Sequence, residues 1–189
     1  MGASLMLGHR RLGQVLQELR NVLPAERYPL SIQTNGTLIT ADILDLCADL
    51  SISLSVSLDG TKAINDRFRI GKRGEGTHDD AVRGIRLLRA HRHSHALFSG
   101  ILTVINPFSS SVETYRYLKS LGAPSIDFLY RDGNHTAMPF GKVSFESTEY
   151  ADWLIEVLDE YLADPQPPRI RFLDDLIKLC LGGRGLKEG

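Results

Sequence analysis

Two apolar periodicities alternate along this chain of 189 residues, and the alternation restricts it to a narrow set of folds. Leu12, Val15, Leu16, Leu19 and Val22 recur at helical spacing over about residues 9–22, and Pro24 ends the pattern. Leu30 to Thr34 reads as a short strand closed by Asn35-Gly36. Thr40 then stands where a helix cap belongs, ahead of Ile43, Leu44, Leu46, Cys47 and Leu50. Ser51 to Leu58 makes a second strand, ended by Asp59-Gly60. After a long polar loop come a helix from Thr77 to about Arg92, a strand from Ala96 to Ile105, a helix over 109–121 and a strand from Ser125 to Tyr130. Thr148 to Leu162 is again helical, Pro165 to Pro168 break the chain, Arg169 to Phe172 predicts a last strand and Leu173 to Leu181 a last helix. Strands separated by helices favour right-handed crossovers, so the predicted class is α/β with a parallel sheet, either open or part of a barrel. In both forms ligands gather at the carboxyl ends of the strands. Here those ends read Gln33-Thr34-Asn35-Gly36, Ser57-Leu58-Asp59-Gly60, Val104-Ile105-Asn106 and Tyr130-Arg131-Asp132, a polar rim.

Charge narrows the partners. With 22 basic against 23 acidic residues the net charge is −1, which gives no electrostatic case for nucleic acid or an anionic membrane. No stretch approaches the roughly 18 uninterrupted apolar residues of a membrane span, and Met1 to Met6 carry no secretory pattern, so a cytoplasmic protein is expected. The two cysteines, Cys47 and Cys180, belong to no Cys-x-x-Cys group, and each lies in an apolar helical pattern where a thiol acts as a small buried hydrophobe. No local metal or iron–sulfur motif is present.

The segment Asp59 to Arg69 sets Asp59 and Asp66 beside Lys62, Arg67 and Arg69 directly after a strand. Such a rim suits a zwitterionic or nucleoside ligand, and it equally suits a solvated loop whose charges pair with one another. An acid–base role for Asp59 and Asp66 with Arg69 as anion clamp is a third possibility. Gly71-Lys72-Arg73-Gly74-Glu75-Gly76-Thr77 lacks the Gly-Lys-Ser/Thr ending of a phosphate loop and reads as a flexible lead into the helix that Thr77 caps. His91, His93 and His95 have no Asp, Glu or Cys at ligand spacing, and His91 and His93 suit a helix C-terminus, whereas His135 stands at a strand end. No nucleophile elbow occurs, and no catalytic residue is assigned.

Several motifs together resemble the radical S-adenosylmethionine (SAM) enzymes. Ile32-Gln33-Thr34-Asn35-Gly36-Thr37-Leu38-Ile39 looks like that family's third-strand motif. Val56-Ser57-Leu58-Asp59-Gly60, followed by Asn65-Asp66 and Arg69, looks like its fourth. Gly74 to Leu88 and Leu102-Thr103-Val104-Ile105-Asn106 continue the match. Ile126-Asp127-Phe128-Leu129, Asp132 to His135, Tyr150 to Leu154, Ile170 to Phe172 and Leu181-Gly182-Gly183 resemble the peptide maturases that carry a second, C-terminal cluster (SPASM) domain. Within them they resemble the cyclophane-forming subgroup acting on ribosomally made peptides, related to anaerobic sulfatase-maturase-like enzymes.

The resemblance implies a partial (β/α) barrel of parallel strands, roughly the last four units of a radical SAM (β/α)6 core, over residues 1–165. Residues 166–189 would form a helix and tail leading towards an auxiliary-cluster domain. It implies that Ser57 contacts the SAM methionine moiety, that Arg69 pairs with its carboxylate, that Gln33 and Asn35 line the cavity, and that Leu102 and Val104 lie against adenine or ribose. Asp127, Asp132 and His135 would face a precursor peptide. The family's cofactors are SAM and a 4Fe-4S cluster held by three thiolates. The Cys-x-x-x-Cys-x-x-Cys loop is missing, and Met1 to Leu5 hold at most a remnant of the Gly-Gly-Glu-Pro motif. The chain is therefore expected to be a fragment, unable to bind the cluster and inactive alone, or a non-catalytic remnant that binds peptide or SAM. Leu30 to Thr34 would then be an edge strand prone to self-association.

Overall fold

The computed structural model describes residues 5–134 and 136–184. A short turn at Leu5–Leu7 leads into α1 (Gly8–Val22). There follow β1 (Leu30–Thr34), α2 (Ala41–Asp49), β2 (Ile52–Ser57), α3 (Lys62–Phe68), α4 (His78–Ala90) and the single-turn α5 (Ser94–Leu97). Then come β3 (Phe98–Val104), α6 (Ser111–Ser120), β4 (Ile126–Leu129), α7 (Glu149–Ala163) and α8 (Arg171–Cys180). The four strands are parallel and lie in one open sheet in the order β1-β2-β3-β4, the α/β class that the alternation predicts. The described residues form two compact units, one comprising 5–58 and 62–101, the other 59–61, 102–134 and 136–184.

In the first unit Leu30, Ile32 and Thr34 of β1 pair in register with Ile52, Leu54 and Val56 of β2. Ile52, Leu54 and Val56 are buried, and α2, α4 and α5 pack on β2, bringing in Ile43, Leu44, Cys47, Ala81, Ile85 and Leu88. Thr40 caps α2 as its position predicts, its hydroxyl accepting from the Ile43 N–H. Arg20 on α1 donates to the carbonyls of Leu23 (3.1 Å), Tyr28 (2.8 Å), Leu50 (2.7 Å) and Ser51 (2.7 Å). One guanidinium thus satisfies the carbonyls that the ends of α1 and α2 leave open.

In the second unit β4 buries Ile126 and Phe128, α8 packs on β4 and α6 packs on α7. Trp153 of α7 meets Phe128 edge-on at 5.2 Å between ring centres and donates its indole N–H to the Ser109 carbonyl (3.0 Å).

Five sequence expectations need correction. The polar loop after β2 contains α3, which buries Asn65. Ala96 and Leu97 close a helical turn on the His93 carbonyl before β3 begins, because a short apolar run does not distinguish strand from helix. The strand expected at Arg169 to Phe172 is reduced to one parallel bridge, Ser125 to Arg169: Pro167 and Pro168 have no N–H to extend it, and α8 starts at Arg171. Thr77 makes no side-chain cap on α4, and its hydroxyl donates instead to the Arg69 carbonyl (3.0 Å). Cys47 is buried as expected, whereas Cys180 is exposed on α8.

Candidate functional site

Parallel sheets are ordinarily apolar on both faces because helices cover both. Behind the buried face of β1 and β2, their opposite face carries Ser31, Gln33, Ser53, Ser55 and Ser57, with Ser31 beside Ser53 and Gln33 beside Ser55. At its carboxyl end the Gln33 amide donates to the Ser57 hydroxyl (3.2 Å), so two of the residues expected to hold a ligand meet there. The following turn is built by its own side chains. Thr34 Oγ1 accepts from the Gly36 N–H (3.2 Å), and Asn35 Oδ1 accepts from the backbone N–H (3.3 Å) and hydroxyl (3.1 Å) of Thr37. Gly36 has φ +79°, and α4 closes on it so tightly that a Cβ on Gly84 would lie 2.3 Å from the Gly36 carbonyl oxygen. Arg83 on the same helix donates to the Thr37 carbonyl (2.9 Å). The position of Asn35 is therefore set by helix-to-turn packing as well as by the strand.

Arg69 is half-buried and fixed through its backbone. Its N–H donates to the Asn65 carbonyl (2.8 Å), and its own carbonyl accepts from both the N–H (3.2 Å) and the hydroxyl of Thr77. Asp66 accepts from the His78 N–H (2.9 Å), placing a carboxylate at the N-terminus of α4, and from the Asn65 amide (3.1 Å). Those bonds give Asp66 a structural task at the start of α4.

In the second unit Asp59 is buried, and its carboxylate accepts from the Val104 N–H (2.9 Å). Leu102 and Val104 are half-buried, whereas Ile101, Thr103 and Ile105 alternate with them as buried residues. Asp127 lies on β4 opposite the face that buries Ile126 and Phe128. Arg171 grips it with two bonds, Nε to Oδ1 (2.9 Å) and Nη2 to Oδ2 (2.6 Å). Arg171 escaped sequence reasoning, since its partner is distant in the chain; the bridge of Ser125 to Arg169 carries the register that sets Asp127 across from it. Asp132 is exposed, and His135 lies outside the described residues.

The donor set suits part of the expected chemistry. In the first unit a hydroxyl and two carboxamides at strand ends, with a guanidinium just after α3, fit an amino-acid moiety; in the second unit, taken by itself, the half-buried Leu102 and Val104 offer an aliphatic surface that suits a purine. A three-thiolate cluster does not fit the described residues: they contain no group of three or more His, Cys, Asp or Glu placed to hold a metal ion. Burial pushes the Cys47 thiol up to about 11, far from a thiolate at neutral pH.

No protein-family model matches the chain. A cysteine-type anaerobic sulfatase-maturating enzyme of Clostridium novyi (strain NT) is 28% identical over 158 residues, 80% of this chain and 41% of that enzyme. The chain is thus similar in sequence to anaerobic sulfatase-maturating enzymes over less than half of their length. Serine-type enzymes of Bacteroides thetaiotaomicron and Klebsiella aerogenes are 25% identical over 150 residues and 36% over 99, covering 70% and 52% of this chain and 35% and 24% of theirs. Among solved structures, native anSMEcpe with bound AdoMet superposes with a TM-score of 0.80 at 21% identity, and the form with bound AdoMet and Kp18Cys peptide with 0.79 at 20%. Both cover 97% of this chain and 51% of theirs, so the chain shares their fold over about half of their length. No described helix is long and apolar enough to cross a membrane.

Proposed function

We propose that this chain carries the SAM-binding and peptide-facing part of a radical SAM peptide maturase. The reading rests on the Gln33–Ser57 pair at the carboxyl end of a parallel sheet with one polar face, in a fold shared with a maturase that binds AdoMet. Ser57 contacts the methionine moiety, Gln33 and Asn35 line the cavity, Arg69 pairs with the carboxylate, and Leu102 and Val104 lie against the adenine or ribose. SAM held there would supply hydrogen-abstracting chemistry only if a 4Fe-4S cluster delivered one electron to cleave it, and the described residues hold no ligand set for that cluster. Asp127 and Asp132 face the precursor peptide, and with a cluster supplied the reaction class would be hydrogen abstraction from a peptide side chain followed by carbon–carbon crosslinking. Arg171 fixes the direction in which Asp127 presents its carboxylate.

Calorimetric titration of the chain with SAM tests the reading. Binding is expected, with affinity at least about tenfold weaker in Arg69→Ala, roughly 1.4 kcal/mol. A folded wild-type chain that takes up no SAM sinks the proposal. The donor set of the described residues also favours a second reading, a non-catalytic chain that binds peptide or SAM without cluster chemistry. Anaerobic reconstitution with iron and sulfide separates the two: a cluster chromophore on this polypeptide would refute the second.

A further inference from the structure

The segment Arg67-Phe68-Arg69-Ile70-Gly71-Lys72-Arg73 holds four bases in seven residues and no acid, within a chain of net charge −1. The structure turns its second half into a built arm, where the sequence suggests a flexible lead. Ile70 and Gly76 form an antiparallel bridge, the Gly71 N–H donates to the Glu75 carbonyl (2.7 Å), and the Gly74 N–H donates back to Gly71 (3.1 Å). Gly74 takes φ +85°, which lets a four-residue turn place Lys72 and Arg73 at the tip. The root is locked to α3 and α4: Thr77 binds the Arg69 carbonyl, and the Asp66 carboxylate lies where a Cβ on Gly76 would stand, 2.0 Å from Asp66 Cγ.

What the arm displays is predominantly positive. Lys72, Arg73 and Arg67 are exposed, and Ile70, a large aliphatic, is 57% exposed on the ribbon. Neither Lys72 nor Arg73 forms an ion pair among the described residues, although elsewhere Lys62, Arg83, Arg92, Arg116, Lys119, Arg169 and Arg171 do. Glu75, exposed on the returning strand with its carboxylate against Gly71, is the one acid of the arm, so residues 67–76 keep four bases against one acid beside an exposed Ile. The arm presents a short positive and apolar edge to a partner of complementary chemistry.

We propose that the ribbon over residues 69–77 is a docking arm for an acidic peptide segment with interspersed apolar residues, the recognition portion of the peptide substrate. This deepens the maturase reading and rests on it for the substrate's identity. The carboxylates face Lys72, Arg73 and Arg67, and an apolar side chain covers Ile70. A long polyanion suits the arm poorly, because the basic stretch is seven residues long and the rest of the chain carries an excess of negative charge. Because Arg69 is the arm's first residue, docking is continuous with the residue proposed to hold the SAM carboxylate.

The probe is a short fluorescein-labelled peptide of alternating Glu and Leu, followed by fluorescence anisotropy on the full chain. Its Gln–Leu counterpart and a deoxythymidine oligonucleotide of equal charge serve as controls. The expected result is saturable binding that weakens between about 50 and 200 mM salt. Lys72→Glu/Arg73→Glu should weaken it at least tenfold and Ile70→Ser severalfold, with unchanged melting temperatures, since all three side chains are exposed. Equal affinity in the charge-reversed variant, equal affinity for the oligonucleotide, or no binding by wild type overturns the proposal. SAM titration of the same samples keeps the two readings apart. A chain that binds SAM but not the peptide loses the arm alone, and one that binds the peptide but not SAM keeps the arm and loses the maturase assignment.

Discussion

Replacing Gly84 by Ala sets two physical rules against each other. Gly84 is interior to α4, where Ala is favoured over Gly by about 0.8–1.0 kcal/mol from helix propensity alone. The tertiary structure opposes this. The added methyl would lie 2.3 Å from the Gly36 carbonyl oxygen and 3.2 Å from Ile39 Cδ1, whereas a carbon–oxygen contact needs about 3.3 Å, so the helix must retreat by roughly 1 Å. Gly36 cannot yield, since it is held at φ +79° against Val56 and Ala81. The retreat also stretches the bond from Arg83 to the Thr37 carbonyl. Overpacking of this kind costs about 1–3 kcal/mol, and the clash with rigid backbone puts it at the upper end, leaving a net loss of about 2 kcal/mol. For a chain of this size that lowers the melting temperature by roughly 4–8 °C. Gly13→Ala in α1 is the matched control: its methyl meets Leu46 at 3.6 Å, an ordinary contact, so propensity should win and the protein should gain up to about 1 kcal/mol. Thermal melts of both variants by circular dichroism decide the matter. A rise for Gly84→Ala matching that for Gly13→Ala would refute the close helix-to-turn packing that sets the position of Asn35.

Arg20→Lys should destabilise by about 2–3 kcal/mol in a urea titration, because a single ammonium cannot reach the carbonyls of Leu23, Tyr28, Leu50 and Ser51 together; a loss near zero would show that water replaces the fork. Asp59→Ala should remove hydrogen-exchange protection at the Val104 amide while Asp59→Asn, which keeps an acceptor, retains it. Unchanged protection in Asp59→Ala would deny the carboxylate its positioning role. The Asp164 carboxyl is pulled down to about 2, chiefly by the Lys119 ammonium, then by the Gln166 N–H and the Tyr115 hydroxyl. A depressed carboxyl stabilises the fold above its ordinary titration range and loses that effect as pH falls, so Asp164→Asn should melt lower than wild type at pH 7, with the gap closing between about pH 4 and pH 2. A gap that does not vary with pH would point to packing instead of charge.

What the sequence determined by itself was the local and the repetitive. Alternating periodicities defined β1, β2 and β4 to within a residue or two, because side-chain period and turn residues act over a few positions. The Gln33-Thr34-Asn35-Gly36 and Ser57-Leu58-Asp59-Gly60 strand ends were legible for the same reason. The tertiary structure alone decided what depends on residues far apart in the chain. It joined Gln33 to Ser57, and it gave Asp59 to the Val104 amide and Asp127 to Arg171. It replaced Thr77 by Asp66 as the group at the start of α4, and it wound the glycine-rich segment after Arg69 into a ribbon with two cations at its tip. A hydrogen bond across dozens of residues, or a methyl-sized gap between Gly84 and Gly36, leaves no periodic trace in the sequence; it exists only once backbone register and helix packing have brought the groups within reach.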